Sequence, residues 1–167
     1  MKIRIGVSLG VDGDTDPGVL SDAVVAMEEL RFDSLWLAER TTTTTPDPVA
    51  GIAFAAARTR KLKLGTGVII LPGRNPAVVA KQLATLDRLS EGRLLVTFGL
   101  GGEPAERATF PIPPGCRRAD VFDESLDLVR GYLSDGGVDG VAVLPRTVQQ
   151  PLELWVAGTA PAAQARA

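Results

Sequence analysis

The chain has 167 residues, with 18 Lys and Arg against 20 Asp and Glu and a formal charge of −2. That balance gives no basis for binding nucleic acid or an anionic membrane surface, and no apolar run approaches the roughly 18–20 residues of a membrane span. There is no histidine and one cysteine, Cys116, which excludes histidine triads, histidine-ligated metals, cysteine-rich zinc sites and an intrachain disulfide from this chain.

Ile3 to Leu9 is a β-branched apolar run and reads as a first strand. Asp16-Pro17 has the form of a helix N-cap with a first-turn proline, and Leu20, Val24, Met27 and Leu30 recur at helical spacing over Val19–Leu30. Ser34 to Ala38 is a second strand. Glu39 to Asp47 is a loop with five consecutive threonines, read either as an extended loop on the active-site side or as local disorder. Asp47-Pro48 starts an Ala-rich helix that runs to Arg60, and Lys63 to Ile70 is a third strand.

Asn75-Pro76 starts the next helix. Val79, Leu83, Leu86 and Leu89 form its apolar stripe, Lys81, Asp87 and Arg88 lie off it, and Gly92 sits where a C-cap glycine belongs. Leu94 to Leu100 is a fourth strand, followed by a Pro- and Gly-rich loop through Cys116 and a helix from about Asp120 to Ser134. Gly136 to Val143 reads as a short hairpin arm, Leu152 to Ala157 as a fifth strand, and Ala160 to Ala167 as the start of a helix. Trp36 and Trp155 fall inside strands and are expected in the core.

Strands and helices alternate, and the strands are almost continuously apolar. This is the pattern of an α/β fold, a parallel sheet covered by helices, here as a single domain over residues 1–167. The first residues lack a signal-peptide pattern, so a cytoplasmic protein is expected. Sites in such folds gather at the carboxyl ends of strands. Four candidates stand there. Thr66-Gly67-Val68 reads as a site or as a glycine bulge. Phe98 to Gly102 brings backbone N–H groups close to a ligand or simply turns the chain, with Gly99 and Gly101 as the residues of interest. Ala157-Gly158-Thr159 is an anion-type turn or an ordinary connection. Glu39-Arg40 is a site or a surface ion pair. Arg74 reads first as part of a helix start and second as a reach toward an anion. Cys116, beside Arg117 and Arg118, is either a thiol of lowered pKa or incidental.

Four segments carry a family resemblance: IGVSLG, EELRFDSLWLAER, DPVAGIAFAAARTRKLKLGTGVIILPGRNPAVVAKQLATLDRLSEGRLLVTFGLG and VLPRTVQQPLELWVAG. In family order and over almost the whole chain, they resemble the N-terminal part of the luciferase-like monooxygenase superfamily, in particular its branch dependent on the deazaflavin coenzyme F-420. The resemblance implies an incomplete TIM (β/α)8 barrel of about five parallel strands, truncated after the fifth. It implies a flavin- or deazaflavin-dependent oxidoreductase or monooxygenase that acts on a small-molecule substrate. Coenzyme F-420 is the first cofactor expected and FMN the alternative; no metal is expected.

The resemblance also assigns residues. It places a cis peptide at Gly67-Val68 against the central ring of the cofactor, pocket contacts at Gly99 and Gly101, tail contacts at Gly158 and Thr159, and Glu106 near the cofactor side chain. Glu39 and Arg40 stand where the family carries an acid followed by a histidine over the ring. Arg40 cannot shuttle a proton near neutral pH, but it can stabilise an anionic reduced ring. An open barrel sheet leaves two unpaired edges and an interior row of apolar side chains. Three explanations follow: a fragment, a homo-oligomer that covers the surface, or a chain that folds poorly alone. The alternative function is therefore a truncated, non-catalytic relative that acts as an assembly partner. A small doubly wound nucleotide-binding domain is a third reading, disfavoured because no glycine fingerprint follows the first strand.

Overall fold

Three helices begin with one device, an Asp or Asn cap followed by proline. Asp16 accepts from the Gly18 and Val19 N–H groups at 2.8 and 3.0 Å, Asp47 from Ala50 at 2.9 Å, and Asn75 from Ala77 and Val78 at 3.0 and 3.2 Å. These caps set the starts of the helices in a computed structural model that describes residues 3–9, 16–159 and 161–165. The elements are β1 (Gly6–Leu9), α1 (Pro17–Glu29), β2 (Ser34–Leu37), α2 (Pro48–Arg58), β3 (Lys63–Thr66), β4 (Ile69–Ile70), α3 (Pro76–Leu89), β5 (Leu94–Gly99), α4 (Pro104–Thr109), α5 (Arg118–Leu133), β6 (Leu154–Val156) and α6 (Pro161–Gln164).

All strand pairings among the described residues are parallel, apart from one isolated bridge. β1, β2, β3 and β5 lie in that order, and β4 and β6 both pair with the upper part of β5. The third strand expected from the sequence is thus two pieces, β3 and β4, interrupted at Gly67-Val68, where the peptide bond is cis. β5 bonds β3 through Leu94 and Leu95 and bonds β4 through Phe98 and Gly99. Five staves of a parallel barrel wall result.

Alternation along the strands separates two faces. Leu35, Leu37, Leu64, Leu94, Val96 and Phe98 are buried beneath the helices, against Val24, Ile52, Leu83, Phe122 and Leu126. Ser8, Trp36, Gly65 and Leu95 stand in register on the opposite, barrel-interior face, and Thr97 stands beside Trp155. Trp36 stacks on Trp155 with ring centroids 5.8 Å apart, and its Nε1 donates to Ser34 Oγ at 2.8 Å. Trp155 is 40% exposed, so the two tryptophans line the barrel interior and not the helix-covered core. Serine, glycine and threonine share that interior face, which is a mixed row and not the uniformly apolar one expected.

Several further expectations change. Leu30 and Leu89 are 72% and 58% exposed, because each lies at the terminal turn of its helix, past the region the sheet covers. Asp87, expected off the apolar stripe, is buried. Its carboxylate accepts from the Val148 and Gln149 N–H groups at 2.6 and 2.9 Å and from Gln149 Nε2 at 2.7 Å, anchoring the segment that leads into β6. The loop after β5 contains a short helix, α4. The hairpin arm reduces to one bridge between Val138 and Val141, closed by Asp139 and Gly140 at φ +50° and +76°, the turn chemistry of an Asp-Gly pair. Arg93, not singled out in the sequence, is buried and donates to the carbonyls of Ala56, Thr59, Leu62 and Ser90 and to Thr59 Oγ1. Part of the expected first loop and the last residues of the expected final helix lie outside the described residues. No helix among the described residues is long and apolar enough to cross a membrane.

Candidate functional site

A cavity of about 360 Å³ opens at the carboxyl ends of β2, β4, β5 and β6. Ala38, Glu39 and Arg40 contribute from the end of β2, Gly67, Val68 and Ile70 from the break between β3 and β4, and residues 99–103 and Glu106 from the end of β5 and from α4. Ala157 and Gly158 close it beyond β6. A smaller cavity of about 220 Å³ lies beside it, lined by Glu39, Arg40, Thr41, Thr43, Thr45, Asp47 and Pro48. Glu39 and Arg40 border both.

The break in the third stave is held from two sides. The Gly67 N–H donates to the Leu37 carbonyl at 2.8 Å, and the Glu39 N–H donates to the Val68 carbonyl at 3.0 Å. The Thr66 hydroxyl covers the missing ladder rungs on the β5 side, where it meets the backbone of Thr97. Next to this junction the Glu39 carboxylate is buried. It accepts from the Ile70 N–H at 2.6 Å and pairs with the Arg74 guanidinium. Arg74 also donates through Nε to the Ile70 carbonyl at 3.0 Å and lies over the Phe110 ring at 4.8 Å. Burial holds the Glu39 carboxyl above the ordinary carboxylate range, while Arg74 and the Ile70 N–H pull it the other way.

Glu106 organises the opposite wall. One carboxylate oxygen accepts from the Thr41 N–H at 3.1 Å and from Thr41 Oγ1 at 2.9 Å; the other accepts from Thr42 Oγ1 at 3.2 Å. Desolvation pushes this carboxyl up, but the three threonine donors and the nearby Arg40 charge outweigh it and hold it below the ordinary range. The threonine run is therefore a structured loop of hydroxyls that satisfies a buried carboxylate, which decides between the two readings of it made above. Thr43 Oγ1 donates to Thr45 Oγ1 at 3.1 Å and accepts from the Thr45 N–H at 3.3 Å, which tightens the same loop. Arg107 and Arg118 fix the exit of β5 by donating to the carbonyls of Gly101 and Leu100 at 2.9 and 2.6 Å.

Of the residues singled out in the sequence, Glu39, Arg40, Gly67, Val68, Gly99, Gly101 and Gly158 all line the larger cavity. Thr159 does not line it and is exposed. Arg74, read first as part of a helix start and second as a reach toward an anion, is the counter-charge of Glu39, so the second reading holds. A buried carboxylate at a strand end requires such a partner, and that requirement was the available signal.

Strand order, parallel pairing and a cavity at the strand exits define part of a (β/α)8 barrel of the TIM type. A model of the luciferase-like monooxygenase family matches residues 2–167, and the chain belongs to that family. It is 34% identical over 111 residues to a 4-hydroxyprotoasukamycin monooxygenase of Streptomyces nodosus subsp. asukaensis, over 65% of this chain and 30% of that protein. It is 35% identical over 105 residues to an F-420-dependent glucose-6-phosphate dehydrogenase of Kineococcus radiotolerans, over 57% of this chain and 31% of that protein. A crystal structure of a monooxygenase from Streptomyces bottropensis superposes with a TM-score of 0.78 at 30% identity, covering 92% of this chain and 53% of that one. The matched stretch thus spans about a third of these curated relatives and about half of the solved chain.

Proposed function

We propose that the larger cavity receives the ring of coenzyme F-420, with FMN as the alternative, and that the chain forms the cofactor half of an oxidoreductase acting on a small molecule. The carrying observation is the wall itself. Gly67, Gly99, Gly101, Gly102 and Gly158 present backbone, not side chain, to the cavity. A Cβ at Gly99 would come within 2.7 Å of Val68 Cγ2, whereas Gly102 faces open space with nothing within 4 Å. Such a wall suits a flat ring, and the cavity volume lies within the range of small-molecule sites. The name of the Kineococcus relative and the wording of the central segment favour the deazaflavin.

When bound, the cofactor supplies hydride or oxygen chemistry, and the protein supplies the pocket. Gly67 and Val68 support one side of the ring. Arg40 is a fixed positive charge at the ring edge and serves to stabilise negative charge there, since it holds its proton at any working pH. Glu39 is committed to Arg74 and the Ile70 N–H and acts through charge and shape. Gly99 and Gly101 bound the pocket, and Gly158 with Thr159 faces the tail.

Titration of the protein with coenzyme F-420 and, separately, FMN, followed by fluorescence, tests this reading. Saturable binding at micromolar strength, tighter for F-420, is the expected result. A folded protein that binds neither cofactor removes the reading and leaves the non-catalytic relative.

A further inference from the structure

Glu106 lies on α4, more than sixty residues from the threonines it holds. Among the described residues its carboxylate accepts hydrogen bonds from Thr41 and Thr42, the two residues that follow Arg40 in the chain. Thr109 strengthens the same attachment: its hydroxyl donates to the Glu106 carbonyl at 2.8 Å and lies 2.9 Å from Thr41 Oγ1. Arg40 itself is half-buried, borders both cavities, and makes no side-chain hydrogen bond or ion pair with the described residues. Its charge reaches the Glu106 carboxylate, and among the described residues its backbone is held by the loop beyond it. The Arg40 carbonyl lies 3.5 Å from Thr43 Oγ1, and the loop is tied at Thr41 and Thr42 to Glu106.

We propose that Glu106 is a positioning residue that acts through Thr41 and Thr42 to hold Arg40 between the two cavities. This rests on the cofactor reading for what Arg40 finally touches, but the tether is a property of the free protein. Glu106 borders the larger cavity, yet its oxygens are spent on the loop, so its effect on a ligand passes through the guanidinium placed by that loop. Glu39 and Arg40 form the wall the two chambers share, and the hydroxyl-bearing loop that continues from Arg40 lines the smaller one. A single carboxylate therefore sets where the wall stands.

The test uses the full chain in three readouts. Amide hydrogen exchange on free protein is expected to rise roughly tenfold or more at Thr41 and Thr42 in Glu106→Gln, with partial recovery in Glu106→Asp. The Arg40 Nε–H resonance is expected to shift or broaden in Glu106→Gln. Cofactor affinity is expected to fall in Glu106→Gln, but not to fall further when that change is added to Arg40→Gln. A merely structural carboxylate would weaken binding in both backgrounds, and that additivity overturns the proposal. Unchanged exchange at Thr41 and an unchanged Arg40 resonance in Glu106→Gln overturn it as well, whether or not a cofactor binds. If Glu106→Gln does not fold, Thr41→Val removes part of the tether from the other side, and the same outcomes decide. A wild-type protein that binds neither F-420 nor FMN removes the cofactor reading alone, and the exchange and resonance measurements still judge the tether.

Discussion

The hydroxyl of Thr66 bonds both backbone groups of Thr97: it donates to the carbonyl at 3.0 Å and accepts from the N–H at 2.8 Å. A side chain thus stands in for the rungs that β3 and β4 leave unmade between them. Thr66→Val keeps the shape and removes both bonds. The expected loss is about 1–3 kcal/mol, the cost of leaving polar groups unpaired in the interior. Urea unfolding checks it, with the midpoint lowered and the slope unchanged.

Arg74→Ala strips the buried Glu39 carboxylate of its counter-charge. The expected destabilisation is about 3 kcal/mol, because an unpaired buried charge costs more than the pair contributes. Adding Glu39→Gln should recover part of that loss, since the uncompensated charge goes with it. A double-mutant cycle in urea measures the coupling. Additive losses would contradict the pairing.

The two carboxyls of the site respond to pH with opposite sign. Glu106 is held below its ordinary value, so its contribution to stability is present above the unfolded-state range of about 4.3 and is lost as pH falls through the folded value. Glu39 is held above its ordinary value, so its contribution is complete below that range and is lost as pH rises through the folded value. Glu106→Gln should flatten the acid limb of the stability profile, and Glu39→Gln the limb just above it. Unfolding midpoints between about pH 3 and 7 read both.

Gly65 leaves room for an aromatic ring. A Cβ there would lie 2.3 Å from the Trp36 ring. Gly65→Ala should push Trp36 off its stack on Trp155 and cost about 1–3 kcal/mol through overpacking. Tryptophan fluorescence and near-ultraviolet circular dichroism should change together. An unchanged spectrum would mean that the interior face has slack.

The sequence made the staves and the helix starts plain because their signals are local. The Asp-Pro and Asn-Pro caps set α1, α2 and α3, and continuous apolar runs marked the strands. What stayed hidden depends on distant partners. Asp87 lies off the apolar stripe of α3, but it is buried because the segment before β6 lies across it. Arg93 carried no local pattern, since all its acceptors but the Ser90 carbonyl lie in one distant stretch, at Ala56, Thr59 and Leu62. Five threonines in a row resemble an uncommitted linker; Glu106, reached through a separate helix, holds the first two of them. The glycines of the cavity wall were visible as glycines, and the family resemblance, not their spacing, gathered them in one place.

The interruption of the third stave has a consequence for how the sheet finds its alignment. β5 meets β3 at Leu94 and Leu95 and meets β4 at Phe98 and Gly99. The two pieces are offset by the Gly67-Val68 linker, which the Leu37 carbonyl and the Glu39 N–H pin in place. Sliding β5 by one residue would reverse its faces against both pieces at once. A two-residue slide would restore the faces but bring Thr66 opposite the wrong backbone groups. The gap therefore works as a vernier, and only one alignment of β5 satisfies both scales.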